Sequence, residues 1–171
     1  MGEQSEDSER GRAGDEERSR HEERAEPERA EPERAAGDRP TPGPYTVVNL
    51  KQVENLAPKF GLSPGLESRF ARVALELRAS GLSYFRIAPD FRQPFGHRHQ
   101  EQEEIYLIVG GSARAKVGDE LVELRTWDAL RVSPSEVRCL EAGPEGAEIV
   151  AFGSPSHDNR DVEAIQDWWR D

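Results

Sequence analysis

At 171 residues the chain has room for one domain with a substantial core plus a tail. Its 34 acidic against 23 basic residues, a formal net charge of −11, exclude the cationic surface needed to bind nucleic acid without sequence preference or to dock on anionic membranes. No apolar run approaches membrane-spanning length, the N-terminus is too charged for a secretory signal, and a lone cysteine, Cys139, rules out an internal disulfide. The expectation is a soluble cytoplasmic protein with no nucleic-acid and no membrane partner.

From Met1 to Gly43 the chain carries 14 acidic and 8 basic residues and almost no large apolar side chains. Arg24-Ala25-Glu26-Pro27-Glu28 is repeated as Arg29-Ala30-Glu31-Pro32-Glu33. Such a stretch buries too little apolar surface to offset its ordering entropy, and its prolines interrupt any helix that Glu and Arg favour. Residues 1–43 are therefore expected to form a disordered charged tail, and 44–171 a folded domain that is itself acidic.

Within that domain short apolar runs and turn signals alternate without a long helical pattern, which predicts an all-β architecture. The expected strands are Tyr45 to Leu50, Leu82 to Ile87, Glu104 to Val109, Ala113 to Val117, Leu121 to Leu124, Ala129 to Val132, Val137 to Leu140 and Glu148 to Phe152. Gly118-Asp119 suits a tight hairpin in which glycine supplies positive φ. Ser63 to Ser80 is open between a helix, on the spacing of Phe70, Val73 and Leu77, and an early strand ending near Gly81. After Asp161, the spacing of Val162, Ile165 and Trp168 predicts a short C-terminal helix whose tryptophans dock on the barrel or on a second copy.

The chemistry concentrates in Gly96-His97-Arg98-His99-Gln100-Glu101-Gln102-Glu103-Glu104-Ile105-Tyr106. On a strand, His97 and His99 point to one face. Glu104 opens the next apolar run after a short polar link. A hairpin there brings its carboxylate beside both rings, where one metal ion can hold all three. Glu101 and Glu103 are either outer partners of the imidazoles or solvated turn residues.

His97-x-His99-x4-Glu104-Ile105-Tyr106, followed by Gly110, resembles the first motif of the cupin family, small jelly-roll β-barrels that often carry a metal. The resemblance spans roughly Leu82 to Gly153. It implies a cupin-like barrel with His97, His99 and Glu104 as metal ligands, a divalent ion such as Fe, Mn, Ni or Zn, a small-molecule ligand or substrate, and a homodimer. Departures are specific. Phe91 stands where the first motif has glycine. On the second motif, Asp128 and Pro134 match, while Trp127, Ser133, Ser135, Arg138 and Ala142 stand on its glycine, proline, glycine, histidine and asparagine.

Arg138 thus takes the place of a ligand histidine, and a guanidinium has no lone pair for a metal. Three readings stay open. His97, His99 and Glu104 form a three-ligand open metal site in a small-molecule enzyme of the oxygenase or isomerase kind. Alternatively no metal binds, Arg138 pairs with Glu104, and a non-catalytic sensing module recognises a small anion through Arg138. In the third, the cluster is a satisfied polar core. Cys139 is expected to face away from Arg138 as a small buried hydrophobe. Phe91, Arg92, Gln93 and Phe95 either cover a ligand or pack on the barrel, and Tyr84 and Arg86 share a face of undecided orientation. His21 and His157 lack ligand-like neighbours.

Overall fold

The computed structural model describes residues 43–155 and 161–170. The expected tail, His21 and His157 lie outside the described residues, apart from Gly43. Eight strands form one curled antiparallel sheet: β1 (Leu66–Phe70), β2 (Gly81–Ile87), β3 (Phe95–His99), β4 (Glu103–Val117), β5 (Glu120–Arg125), β6 (Ala129–Val132), β7 (Arg138–Ser154) and β8 (Val162–Gln166). The spatial order is β1-β2-β7-β3-β8, and β4 pairs with β5, β6 and β7. This is a jelly-roll barrel, in which a bent sheet closes over one core.

The bend is made by β4 and β7, which pair along nearly their whole length and change register between Ile108 and Gly110 and again between Gly111 and Ala113. Before the shifts β7 also pairs with β2, and beyond them it pairs with β3 at Arg138. A Cβ on Gly111, where φ is +67°, would sit 2.0 Å from the Gly146 carbonyl oxygen, so the corner demands glycine. Gly110 and Gly111 therefore mark a bulge. The two strands expected on either side of them, and the two expected around Gly143 and Gly146, are each one long bent strand.

Inside the barrel, Tyr106, Ile108, Ala113 and Ala115 of β4 meet Leu140, Ala142, Ile149 and Ala151 of β7, with Ile87, Leu124 and Val132 completing the layer. The period-two alternation of those residues in sequence is what sends them inward. Gly118 has φ +56° and links β4 to β5 as its position between the strands required.

Three expectations are corrected. Tyr45 to Leu50 is not a strand: Tyr45 and Val47 are 81% and 85% exposed, and Asn49 accepts from the Lys51 N–H to start a short 3-10 turn at Leu50–Gln52. An alternating pattern without a ladder partner has nothing to hold it extended. Ser63 to Ser80 resolves as β1 followed by turns, with Val73 left exposed. The C-terminal helix is strand β8, which pairs with β3 from Phe95↔Gln166 to His99↔Val162. Its side chains fit either period, and the free edge of β3 offered a ladder that an isolated short helix could not match. Trp168 and Trp169 do dock on the barrel, under Lys116 and against Arg92 and Arg114. Among the described residues no helix is long and apolar enough to cross a membrane.

Candidate functional site

β3 and β4 are not hydrogen-bonded to each other, so the expected hairpin does not form. Instead β3 lies beside β7 and β8, and the Gln100–Gln102 link carries the chain across to the other side of the barrel. Glu104 nevertheless reaches the histidines, because inward-facing positions of opposed sheets converge on the interior. His97 Nε2 and His99 Nε2 stand 3.3 and 3.4 Å from Glu104 Oε2. The two rings meet edge to face, 5.4 Å between centroids. One potential ligand atom from each of the three residues lies within 4.8 Å of the others.

Arg138, paired with His97 in the ladder, enters the same space from β7. Its Nη2 donates to Glu104 Oε2 at 2.6 Å, its Nε to the Tyr106 hydroxyl at 3.1 Å, and its Nη1 to the backbone carbonyls of Glu136 and Pro134. The Tyr106 hydroxyl in turn donates to Glu104 and lies 3.3 Å from His97 Nε2. Arg138 is 1% exposed, so the guanidinium is a buried pin whose charge is met by one carboxylate.

These contacts set the protonation states. Burial pushes the Glu104 pKa up, but its contacts with His97 and His99 and the charge of Arg138 outweigh it and hold the group well below the usual carboxylate range. Burial lowers the His97 pKa, against the pull of Glu104, so the ring is neutral near pH 7. Tyr106 is pushed well above its ordinary value by burial and by the Glu104 charge, and keeps its proton.

His99 is held from behind. Its Nδ1 is 2.8 Å from Asp161 Oδ2, and the Asp161 carboxylate also accepts the backbone N–H groups of Gln100, Glu101 and Gln102. Burial raises the Asp161 pKa, but the Glu101 N–H and the His99 ring outweigh it and lower the net value. On the opposite side of the ring, His99 Nε2 is buried without a hydrogen-bond partner. A buried, partnerless imidazole nitrogen beside a carboxylate and a second imidazole offers the donor set a divalent ion takes from two histidines and one acid. The residues fit a metal. Glu104 would share its charge between that ion and Arg138.

The sequence singled out His97, His99, Glu104 and Arg138, and the structure brings all four together. It missed Tyr106, which reads in sequence as one more aromatic in an apolar strand; the alternation that puts Glu104 inward puts Tyr106 inward as well. It also missed Asp161, for which no local signal existed. Glu103 pairs with Arg131 at the surface and Glu101 is exposed, so the solvated alternative holds for both. Phe91 packs on the core, Arg92 pairs with Glu141, and Gln93 accepts from the Leu140 N–H. Cys139 faces away from Arg138 and is buried, its thiol pushed up to about 11 by desolvation. Tyr84 and Arg86 lie on the outer face, beside Lys51 and Glu67.

No family profile matches the chain, and no curated protein matches it in sequence. Solved structures do match in shape. A cupin protein from Bacteroides fragilis superposes with a TM-score of 0.53 at 19% identity, over 75% of this chain and 90% of the other. The fold is that of a cupin. The cupin barrel is also similar to a variant of Streptomyces Pac13 with uridine, TM-score 0.56, 14% identity, covering 74% and 92% of the two chains. Pac13 is described as a nucleoside dehydratase. Oxalate decarboxylase from Bacillus subtilis superposes with a TM-score of 0.58 at 21% identity, over 72% of this chain but only 34% of its own length. The left-handed Trp127, φ 75°, sits where the resembled second motif has glycine.

Proposed function

We propose that this cupin barrel binds a small molecule at a divalent metal centre held by His97, His99 and Glu104, and acts on it as a metal-assisted enzyme of the oxygenase or isomerase kind. One observation carries the reading: His99 Nε2 is buried, without a hydrogen-bond partner, and directed at the other two donors. A polar core without ligand would leave that atom's desolvation uncompensated. When bound, the metal would supply Lewis acidity or a redox centre. The chain's own part is to hold Glu104 ionised through Arg138 and Tyr106, to keep His97 neutral, and to present the Tyr106 hydroxyl as the proton-bearing group nearest the cluster. The neighbours support small-molecule chemistry in this fold, Pac13 with its uridine among them.

The second reading, anion recognition by Arg138 without metal, draws on the 2.6 Å pair between Arg138 and Glu104. An anion there must displace Glu104 from a guanidinium already committed to four oxygens. Metal analysis of full-length protein purified without chelator decides between the two. Near-stoichiometric Fe, Mn, Ni or Zn, lost in a His97→Ala, His99→Ala double variant, is the expected result. Failure of the wild type to hold or take up any of these ions would reject the metal centre in favour of the anion site.

We further infer a cytoplasmic homodimer built on the barrel domain, Pro44 to Asp171. Across β2, β7 and β4, Leu82, Phe152 and Ile105 form one outward row and Val150 and Leu107 lie in the next. Phe152 and Ile105 are 43% and 36% exposed. The rim pairs Glu103 with Arg131 and Lys51 with Glu148, so this face is locally neutral on a chain of net charge −11 and two copies meet there without like-charge repulsion. Light scattering should give a dimer mass for the wild type and a monomer for Phe152→Glu; a monomeric wild type would refute the interface.

A further inference from the structure

The C-terminal segment reaches into the site, and its first contact is a carboxylate that takes four hydrogen bonds. Asp161 Oδ1 takes the N–H groups of Glu101 at 2.9 Å and Gln100 at 3.2 Å; Oδ2 takes His99 Nδ1 at 2.8 Å and the Gln102 N–H at 3.3 Å. The Asp161 carbonyl also accepts from Gln100 at 3.0 Å. All three N–H groups of the β3–β4 link are thus gathered by a residue about sixty positions downstream. The segment that carries Asp161 is fastened beyond it as well. β8 runs against β3 for five residue pairs, and Trp168 lies over Gly96, where a Cβ would come within 2.9 Å of the indole. Lys116 and Arg92 sit 4.7 and 4.5 Å from the rings of Trp168 and Trp169.

An ionised carboxylate only accepts hydrogen bonds, so the ring nitrogen facing it must carry the proton. His99 has one proton to place while neutral, and Asp161 takes it to Nδ1. We infer that Asp161 is a positioning residue, delivered by β8, which fixes His99 in the Nδ1–H tautomer and so turns a bare Nε2 lone pair into the site. The partnerless, buried state of Nε2 is the independent sign of this: it lies 3.4 Å from Glu104 Oε2 but outside hydrogen-bond geometry, so a proton there would go unpaired, whereas a bare lone pair is left open to a cation. The role in metal binding rests on the reading of His97, His99 and Glu104 as ligands; the control of the tautomer does not.

The two rest on separable measurements. Asp161→Asn keeps the shape but exchanges one acceptor oxygen for an NH2 group. With its remaining oxygen on Gln100 and Glu101, the amide presents N–H to His99 Nδ1 and drives the ring proton to Nε2. Imidazole 15N shifts of chelator-stripped, full-length protein should report Nδ1–H at His99 in the wild type and Nε2–H in Asp161→Asn. Glu163→Gln, which removes an exposed pair with Arg98 on the same strand, should leave the tautomer unchanged. Cobalt(II) affinity should fall about 10- to 100-fold in Asp161→Asn and in Asp161→Ala. A wild-type tautomer retained in Asp161→Asn, with the backbone amide spectrum intact, would overturn the inference whatever the cobalt affinity. An inverted tautomer in a protein whose wild type takes up no cobalt would support the inference and remove the metal centre.

Discussion

Glu104 and Glu141 both meet arginines on the β4–β7 framework, yet the two clusters close in different ways. Arg114 and Glu141 are direct cross-strand partners on the outside of the barrel, and Arg92 joins them from a bridge to the same residue. The Trp169 ring lies against both arginines. Glu104 and Arg138 are far apart in that ladder, paired with Gly153 and Val117 respectively, and touch only because the sheet curls until its interior faces meet. The outer cluster is a register contact in which two arginines close on one carboxylate at the outer face. The inner one spans the barrel and leaves a buried nitrogen in want of a partner. A satisfied cluster reads as scaffold, and an unsatisfied one as a site.

The sharpest way to break this contrast is to remove the inner cation. Arg138→Ala leaves Glu104 buried without its guanidinium, and chemical denaturation should show a loss of about 3–5 kcal/mol. Arg138→Met combined with Glu104→Leu, which removes both charges while keeping volume, should recover most of it. A loss no greater than that of an exposed pair would mean that the inner cluster is solvated and no different in kind from the outer one.

At the outer cluster, Glu141→Gln should cost about 1 kcal/mol or less, because Arg114 is partly exposed and screened. Its pH dependence is the better probe. Burial raises the Glu141 pKa, but hydrogen bonds from Arg114 and Arg92 outweigh it and hold the group below its ordinary value. A carboxylate depressed in the folded state stabilises above its unfolded pKa of about 4.3 and loses that contribution as pH falls through the folded value. The stability gap between wild type and Glu141→Gln should be level from pH 7 to about 5 and shrink below about 4. A gap that widens with acid would reverse the assignment.

The smallest effect concerns the backbone between the two clusters. Trp127 is 74% exposed and held at φ 75°, with its N–H on the Ile108 carbonyl. Trp127→Gly relieves the left-handed strain at the cost of a freer unfolded chain, a net gain of about 0.5 kcal/mol in thermal or urea unfolding. A clear loss would mean that the indole makes contacts worth more than the strain.

Much of this was legible in the chain. Strands β2, β5 and β6 and the two halves of each of β4 and β7 follow from the local apolar patterns, and the His97-x-His99 spacing places two rings on one face because the side-chain period of a strand is two. Cys139 could be placed opposite Arg138 by the same argument. Local patterns of this kind fix which way a side chain points along its own strand. They do not fix which strand lies beside it. Tyr45 to Leu50 has a strand's pattern and no ladder, while Val162–Gln166 has a helix's spacing and is a strand because β3 had an edge to fill. Gly111 and Gly146 fall in the gaps between expected strands and form the corner where two long strands bend.

The sequence by itself determined an acidic chain, an all-β architecture and two histidines on one strand face, since composition and period-two alternation act within a few residues. Only the tertiary structure decided that Arg138 spans the barrel to hold Glu104, that Tyr106 joins them, and that Asp161 returns from the C-terminal segment to hold His99. Those contacts join residues separated by 34, 32 and 62 positions, and they exist because the sheet closes on itself.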